Sequence, residues 1–458
     1  MSVAARLRVF ARAAPCSALL RDAVLAGIGA AASRVFLLAL GVLVSRQVGE
    51  PALFGVFSSI LLAVQLVAMF AGLGLAQTAA QAIAAAADDR ERQDRTVRSI
   101  VALVVACGML AGTGLWLVGR DPGWLLPVPQ AARALAGVAS LLLAAQLVVG
   151  GLEGILRGLR LFRVLGVAGC VASAIGLACA VPLVRALGVR GGVLAAAGFL
   201  VLQALLYAWP LAARLRGRLL PPRALGRLLG ITLAPTFLNG VAWNLAMLLP
   251  PLLLAREQGG LEQLALWNAA SQIRTIVSFV PIVVANAAIP RLAAAYAQRG
   301  GWRHEVVGTL VLAMGSAFLG FLPVAVAAGP LMGIYGAIYA QHGALLWLVA
   351  SFVLLQVLGS ALFVILLAAR GVWQSALLNV AWSTTILLLA PRWIASDGAL
   401  GLATLYLWSY APVLALLAML VLRTMRRSPP DVAVSAANVG ISARRWSPGS
   451  RARPPAPA

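Results

Sequence analysis

The chain has 458 residues, of which 62% are hydrophobic and only 11% charged, with a mean hydropathy of +0.95. Soluble domains carry roughly 25% charged residues, so a water-soluble globular fold is excluded. All 36 basic residues are arginine and the formal net charge is +23; without lysine, neither a Walker A phosphate loop nor a Schiff-base lysine can be built.

Segment 1–21 carries Arg6, Arg8, Arg12 and Arg21 ahead of an apolar run. That run is too long for the core of a cleavable signal peptide and is expected to persist as a first span. Apolar runs of about the length that crosses hydrocarbon as a helix then recur to residue 422. They predict twelve spans at 22–45, 54–76, 97–118, 134–156, 164–184, 191–212, 229–254, 266–289, 306–328, 343–367, 376–394 and 400–422. The runs are continuous rather than alternating, so they read as helices and not barrel strands. The expected architecture is an all-α membrane protein. A six-helix lobe spans 22–212, an Arg-rich linker 213–228, a second six-helix lobe 229–422 and a tail 423–458.

Arginine sets the orientation. Twenty-seven arginines fall on the N-terminus, on every second loop and on the tail; seven fall on the opposite loops, at Arg46, Arg120, Arg133, Arg185, Arg190, Arg256 and Arg392. By the positive-inside rule both termini are cytoplasmic, and the basic balance reflects membrane topology rather than nucleic-acid binding. The tail from Ser428 onward is rich in Pro, Ala, Ser and Arg without periodicity and reads as disordered. The run Asp88-Asp89-Arg90-Glu91-Arg92 reads as a solvated helix surface. Cys16, Cys107, Cys170 and Cys179 lack metal-ligand spacing and are expected to be small buried residues. No cofactor or metal is expected.

Short matches recur at an offset near 210: Arg46 with Arg256, Ala82-Ile-Ala-Ala-Ala with Arg291-Leu-Ala-Ala-Ala, Arg157-Gly158 with Arg370-Gly371, and Gly191 with Gly401. Each is weak alone; the near-constant offset argues for two parallel six-span repeats about an axis along the membrane normal, with the binding site between them.

Two arginines, Arg34 and Arg274, lie inside spans, where a charge is expensive and marks a functional hypothesis. Gly27, Arg34, Gly41 and Ser45 share one stripe of span 1, and Asn268, Ser271, Gln272, Thr275 and Ser278 lie near Arg274 in span 8. Thr232, Thr236, Asn239 and Trp243 occupy one face of span 7. Under the repeat, Arg34 maps onto Asn244 and Arg274 onto Gln65. A single polar cavity is therefore expected, with Arg34, Arg274, Asn239, Asn244, Trp243, Gln65, Asn268 and Gln272 as substrate-binding residues. Arginine is suited to phosphate because it stays ionised and offers a planar pair of donors. The competing role for each is structural, packed on helix carbonyls.

The chain resembles the polysaccharide-export (O-antigen translocase) branch of the multidrug/oligosaccharidyl-lipid/polysaccharide flippase superfamily over residues 22–422. The resemblance is carried by Arg46-Gln-Val-Gly49-Glu50-Pro51-Ala-Leu-Phe54-Gly55, by Gly72-Leu-Gly74 and by Leu156-Arg157-Gly158 through Phe162-Arg163. Pro290 and Leu367-Ala-Ala-Arg370-Gly371 continue it. Ser33-Arg34-Val35 is similar to a Ser-Arg pair in the first span of the sister lipid II flippases, and Arg274 falls in the eighth span, where those also keep a cavity arginine. Twelve spans instead of fourteen and fewer membrane arginines argue against lipid II itself. The resemblance implies a non-enzymatic flippase of the bacterial inner membrane. It would carry undecaprenyl-pyrophosphate-linked oligosaccharide to the periplasmic leaflet for surface polysaccharide, with membrane lipids and the polysaccharide polymerase machinery as further partners. A cation or drug antiporter of the same superfamily would need a mid-membrane carboxylate, which spans 1, 2, 7 and 8 lack. A membrane polymerase would need acid/base residues gathered on a large loop, whereas Asp121, Glu257, Glu262, His342 and Asp397 are scattered.

Reporter fusions after Arg218 and Arg303 should report the cytoplasm, and those after Gly123 and His342 the periplasm. A periplasmic signal at Arg218 defeats the topology.

Overall fold

The computed structural model describes residues 3–72, 75–86, 89–119, 129–215, 219, 234–288, 292, 295–296, 302–368 and 372–426. The side chains of the basic N-terminus, most of the linker, and the tail beyond 426 lie outside the described residues. So do Thr232, Pro290, Arg370 and the side chain of Thr236.

The described chain is helical throughout its ordered elements. In order these are α1 (Val3–Val48), α2 (Pro51–Gly72), α3 (Leu75–Ala85), α4 (Arg90–Val118), α5 (Pro129–Gly158) and α6 (Phe162–Ala208). After a 3-10 turn at Trp209–Arg214 come α7 (Ala234–Leu254), α8 (Gly260–Ala287), α9 (Trp302–Gly333), the short α10 (Ala337–Ala340), α11 (Gly343–Ala368) and α12 (Val372–Arg426). Helices follow from the solvent: hydrocarbon offers no partner for a backbone N–H or C=O, and a helix satisfies both within itself. Large apolar side chains accordingly face outward, with Leu319 73% and Val326 83% exposed.

Nine helices among the described residues are long and apolar enough to cross a membrane, and two of those stretches, Phe162–Arg214 and Trp373–Met425, run 53 residues each. At 1.5 Å per residue each would be roughly 80 Å if straight, far beyond about 30 Å of hydrocarbon. Both fold back instead. Gly188 (φ 55°, ψ −128°) and Gly398 (φ 56°, ψ −127°) leave the helical region in conformations that side-chain-bearing residues avoid. In α6 the returning arm brings Phe199 against Gly176, and in α12 Trp382 Nε1 donates to Ser409 Oγ at 3.0 Å. With these two hairpins and the shorter apolar α7 (Leu238–Leu254), the helices make twelve crossings.

The two hairpin turns stand 210 residues apart, and the repeat is visible in backbone geometry. Gly49 (φ 71°) and Gly259 (φ 67°) end the helices before α2 and α8 at the same offset. A Cβ at Gly191 would lie 2.0 Å from Leu183 O, and one at Gly401 2.1 Å from Trp393 O. Two equivalent six-span halves result.

Within the first half α1 and α6 approach through glycine. A Cβ on Gly29 would meet Leu165 O at 2.5 Å, one on Gly166 would meet Leu25 O at 2.5 Å, and one on Gly169 would meet Gly29 O at 2.8 Å. Lipid provides little hydrophobic drive between helices, so close backbone approach through small residues is what holds them. The mixed-charge run at the start of α4 acts as a cap: Asp89 accepts from the Arg92 N–H at 3.0 Å, and Glu91 pairs with Arg95. In α9, Pro330 cannot donate to Val326, and the backbone leaves the helix nearby at Ala327 (φ −129°, ψ 34°). The expected burial of the cysteines is not met at any of the three whose side chains are described, and the side chain of Cys16 lies outside the described residues. Cys107 and Cys170 are half-buried and Cys179 is exposed.

Replacing Gly166 by Val should lower the melting temperature of the detergent-purified protein, with a cost of about 1–3 kcal/mol from overpacking against backbone. Gly198→Ala, where a Cβ meets nothing within 4 Å, should leave it unchanged or slightly raised.

Candidate functional site

A cavity of about 440 Å³ lies between the halves, lined by α1, α2, α7, α8 and α11. That volume is within the roughly 300–1,000 Å³ of small-molecule sites. Seven of the eight residues expected to bind substrate line it: Arg34, Gln65, Trp243, Asn244, Asn268, Gln272 and Arg274. The eighth, Asn239, does not, because its Oδ1 accepts from Asn379 Nδ2 at 2.6 Å inside the second half. No carboxylate lines this cavity among the described residues.

The stripe on α1 faces the opposite half. A Cβ on Gly41 would sit 2.4 Å from Gln272 Oε1, Ser45 Oγ donates to Tyr335 O at 3.0 Å, and the Arg34 guanidinium carbon lies 5.2 Å from the Phe279 ring centroid. Gly41 against Gln272 and Arg34 against Phe279 set the register of two antiparallel helices. Arg34 and Arg274 therefore differ in depth by about 7–8 Å at the helical rise. The aromatic face is a weak stand-in for a counter-ion, worth roughly 0.5–2 kcal/mol, and Arg34 stays exposed to the cavity.

Arg274 is held more firmly. Its Nη1 donates to Gln356 Oε1 at 3.3 Å and lies 3.7 Å from Met247 Sδ, while its Nε and the neighbouring Ser271 Oγ are buried without a hydrogen-bond partner. A buried charged donor left unmade is costly, so the site has unmet capacity for an acceptor. Trp243 forms a rigid wall, stacked on Trp382 at 5.1 Å and edge-on to Tyr410 at 5.9 Å. Asn244 Nδ2 donates to Gly240 O at 2.8 Å, and Gln65 projects into open space.

Asn268 and Gln272 serve a second purpose. Asn268 Nδ2 donates to Ser58 Oγ at 2.7 Å, and these two positions are themselves 210 apart. Repeat-equivalent residues meet where the pseudo-twofold axis passes, so this bond marks the axis. Beyond it the halves are bolted together at the arginine-poor end. Arg46 Nε donates to Ile334 O at 2.7 Å, Phe54 packs on Tyr335 and Tyr339 with centroids 5.9 and 6.3 Å away, and a Cβ on Gly55 would lie 2.0 Å from Leu261 O. Tyr335 also donates to Gln272 Oε1 at 2.8 Å. Burial raises the Tyr335 phenol well above its ordinary range, so it remains a neutral donor.

Sequence reasoning missed Gln356, Phe279 and Tyr335. A lone glutamine in the otherwise apolar span 10 carried a usable signal, since a buried amide demands a partner. Phe279 and Tyr335 carried none.

Two helical bundles stand around a central cavity, an arrangement shared with solved structures. A search of solved structures finds an inward-facing conformation of a multidrug resistance MATE family transporter of the MOP superfamily, at TM-score 0.68 and 18% identity over 86% of this chain and 96% of that one. An outward-facing conformation of such a transporter matches at TM-score 0.62 and 19% identity over 90% and 96%. A MOP superfamily transporter from Pyrococcus furiosus, described as having a binding pocket of reverse polarity that suggests a different function, matches at TM-score 0.62 and 18% identity over 90% and 96%. These likenesses establish the fold. No curated protein matches. The model of the polysaccharide biosynthesis protein family matches residues 20–296, and the chain belongs to that family.

With the native cysteines removed, Ser58→Cys combined with Asn268→Cys should be joined in high yield by a short thiol-specific cross-linker, read as protection from later maleimide labelling. Absence of cross-linking would show that the halves do not meet at the axis in the membrane.

Proposed function

We propose that this protein is a flippase that carries an undecaprenyl-pyrophosphate-linked oligosaccharide across the bacterial inner membrane by alternating access between its halves. The observation that carries this reading is the pair Arg34 and Arg274 in one cavity between repeats that no carboxylate lines among the described residues, with Arg274 Nε buried and unpartnered. Two fixed positive charges with no carboxylate in the described lining favour an anionic guest, and a pyrophosphate supplies two negative groups that span a few ångströms of depth. Arginine grips phosphate oxygens in a planar fork. Membership of the polysaccharide biosynthesis family supports a glycan as cargo.

The arginine-rich end is assigned to the cytoplasm, together with both termini, by the asymmetry of the loops. The cavity then faces the leaflet where lipid-linked precursors are assembled, and the bolt at Arg46, Phe54 and Tyr335 closes the periplasmic end. Translocation requires that bolt to release and the opposite end to close. Membrane lipids are the medium for the prenyl tail, and the polymerase machinery is the consumer of the product. A cation or drug antiporter is disfavoured by the same lining, since a cation entering it meets two arginines and no carboxylate.

Arg34→Ala and Arg274→Ala should each abolish or strongly reduce glycan export at near-normal protein abundance, with Arg→Lys restoring only part of it. Charged hydrogen bonds contribute roughly 1.5–3 kcal/mol against about 1 for neutral ones, so Gln65→Ala should do less. Glycan output measured with membrane abundance decides: stable and fully active alanine variants sink the anion-cavity reading.

A further inference from the structure

Beside the arginine cavity lies a second chamber of about 330 Å³, between α2, α3, α5 and α7. The two share Gln65 and Asn244 in their linings, so they abut. The second chamber differs in chemistry. Among the described residues its polar lining consists of three amides, Gln65, Gln146 and Asn244, with neither an arginine nor a carboxylate. Gln146 and Gly150 are one helical turn apart on the same face of α5, and a Cβ built on Gly150 meets nothing within 4 Å. The glycine therefore leaves the chamber open.

We infer that this chamber binds the first sugar of the cargo and selects an uncharged one; the inference rests on the anion reading of the neighbouring cavity. Three observations support it. First, each amide offers both a donor and an acceptor, the pairing that sugar hydroxyls require. Asn244 uses one N–H on Gly240 O and keeps the other and its carbonyl, while Gln65 and Gln146 have no hydrogen-bond partner among the described residues. Second, the chambers adjoin at Gln65 and Asn244, which matches a sugar bonded directly to a phosphate. With the phosphates at Arg34 and Arg274, the ring falls beside Gln65 and Asn244. Third, a sugar carboxylate would enter a space with no cation in its lining. Glu153 stands one turn beyond Gly150 towards the arginine-rich end, its charge already matched by Arg157. A site that reads hydroxyls through amides with free donors and acceptors discriminates against a guest that leaves them unpaired or brings an unmatched charge.

Gln146 and Gly150 are thus specificity-determining residues, Gln146 by hydrogen bonding and Gly150 by leaving room. The test uses purified full-length protein in detergent and three probes: farnesyl pyrophosphate, the same lipid pyrophosphate bearing N-acetylglucosamine, and the same bearing glucuronic acid. The native chain is expected to bind the N-acetylglucosamine probe about tenfold or more tighter than the sugar-free probe, and the glucuronic acid probe no tighter than the sugar-free one. Gly150→Leu should remove the gain from the neutral sugar while leaving farnesyl pyrophosphate affinity within about twofold. Gln146→Leu, which keeps the side-chain volume, should reduce the gain severalfold and guards against a folding defect in the glycine variant. Arg274→Ala should weaken all three probes together.

Equal binding of sugar-free and sugar-bearing probes by the native chain overturns the chamber assignment, as does a neutral-sugar gain that survives both Gly150→Leu and Gln146→Leu. A glucuronic acid probe bound as tightly as the N-acetylglucosamine probe overturns the selection for uncharged sugars. In each of those cases pyrophosphate binding that depends on Arg274 leaves the anion reading standing. Failure of all three probes to bind overturns both.

Discussion

Hydrocarbon neither hydrates a charge nor accepts a hydrogen bond, and the whole arrangement follows from where the chain hides its polar groups. The backbone solves the problem locally by being helical. The side chains of Arg34, Gln65, Asn244, Asn268, Gln272 and Arg274 cannot solve it locally, and they are gathered on the faces where the two halves meet. Outward faces carry leucine, valine and phenylalanine at high exposure. The interface between the halves is therefore the polar interior of the molecule, and under the proposed function it is where cargo binds.

The two halves share turn geometry but use different packing. The first half is drawn together by glycine on α1 and α6, at Gly29, Gly166 and Gly169, with Phe36 stacked on Phe199 at 4.2 Å. The second is built on an aromatic block in which Trp243, Phe352, Trp382, Tyr406 and Tyr410 touch one another. The Tyr406 hydroxyl donates to the Ala246 carbonyl, tying α12 to α7 beneath that block. Charge is distributed crosswise: each half presents one arginine and, at the position equivalent to the other's arginine, an amide. Arg34 stands opposite the Asn244 side of the cavity and Arg274 opposite the Gln65 side. The crosswise pattern keeps the two like charges on different helices and at different depths, which lowers their mutual repulsion while leaving both available to one anion.

Closure at the arginine-poor end depends on backbone acceptors as much as on side chains. Ser45 and Arg46 both donate to carbonyls in the turn after α9, and Gly55 lets α2 approach Leu261 at backbone distance. Ser45, Phe54, Tyr335 and Tyr339 are almost fully buried, and the three aromatic residues belong to an apolar core shared by both halves, so separating the halves here would expose that packed surface. Asn268 and Ser58, by contrast, meet on the axis, where relative rotation of the halves displaces them least.

Residues such as Arg34 and Arg274, read against the cost of a charge in hydrocarbon, were enough to mark the cavity, and the recurrence near 210 residues was enough to pair Arg34 with Asn244 and Gln65 with Arg274. Span number and helical character followed from run length, because crossing hydrocarbon imposes one length and one hydrogen-bonding solution. Tertiary structure alone decided which polar groups are free. Asn239 has the same composition signal as Asn244, yet Asn379 claims it, and Gln272 is taken up by Tyr335. Phe279 beneath Arg34 and the loop tyrosines bolting the far end are ordinary apolar and aromatic residues in sequence. Their roles arise from helix rotation and from contacts between positions more than 200 residues apart, and neither is encoded in local periodicity.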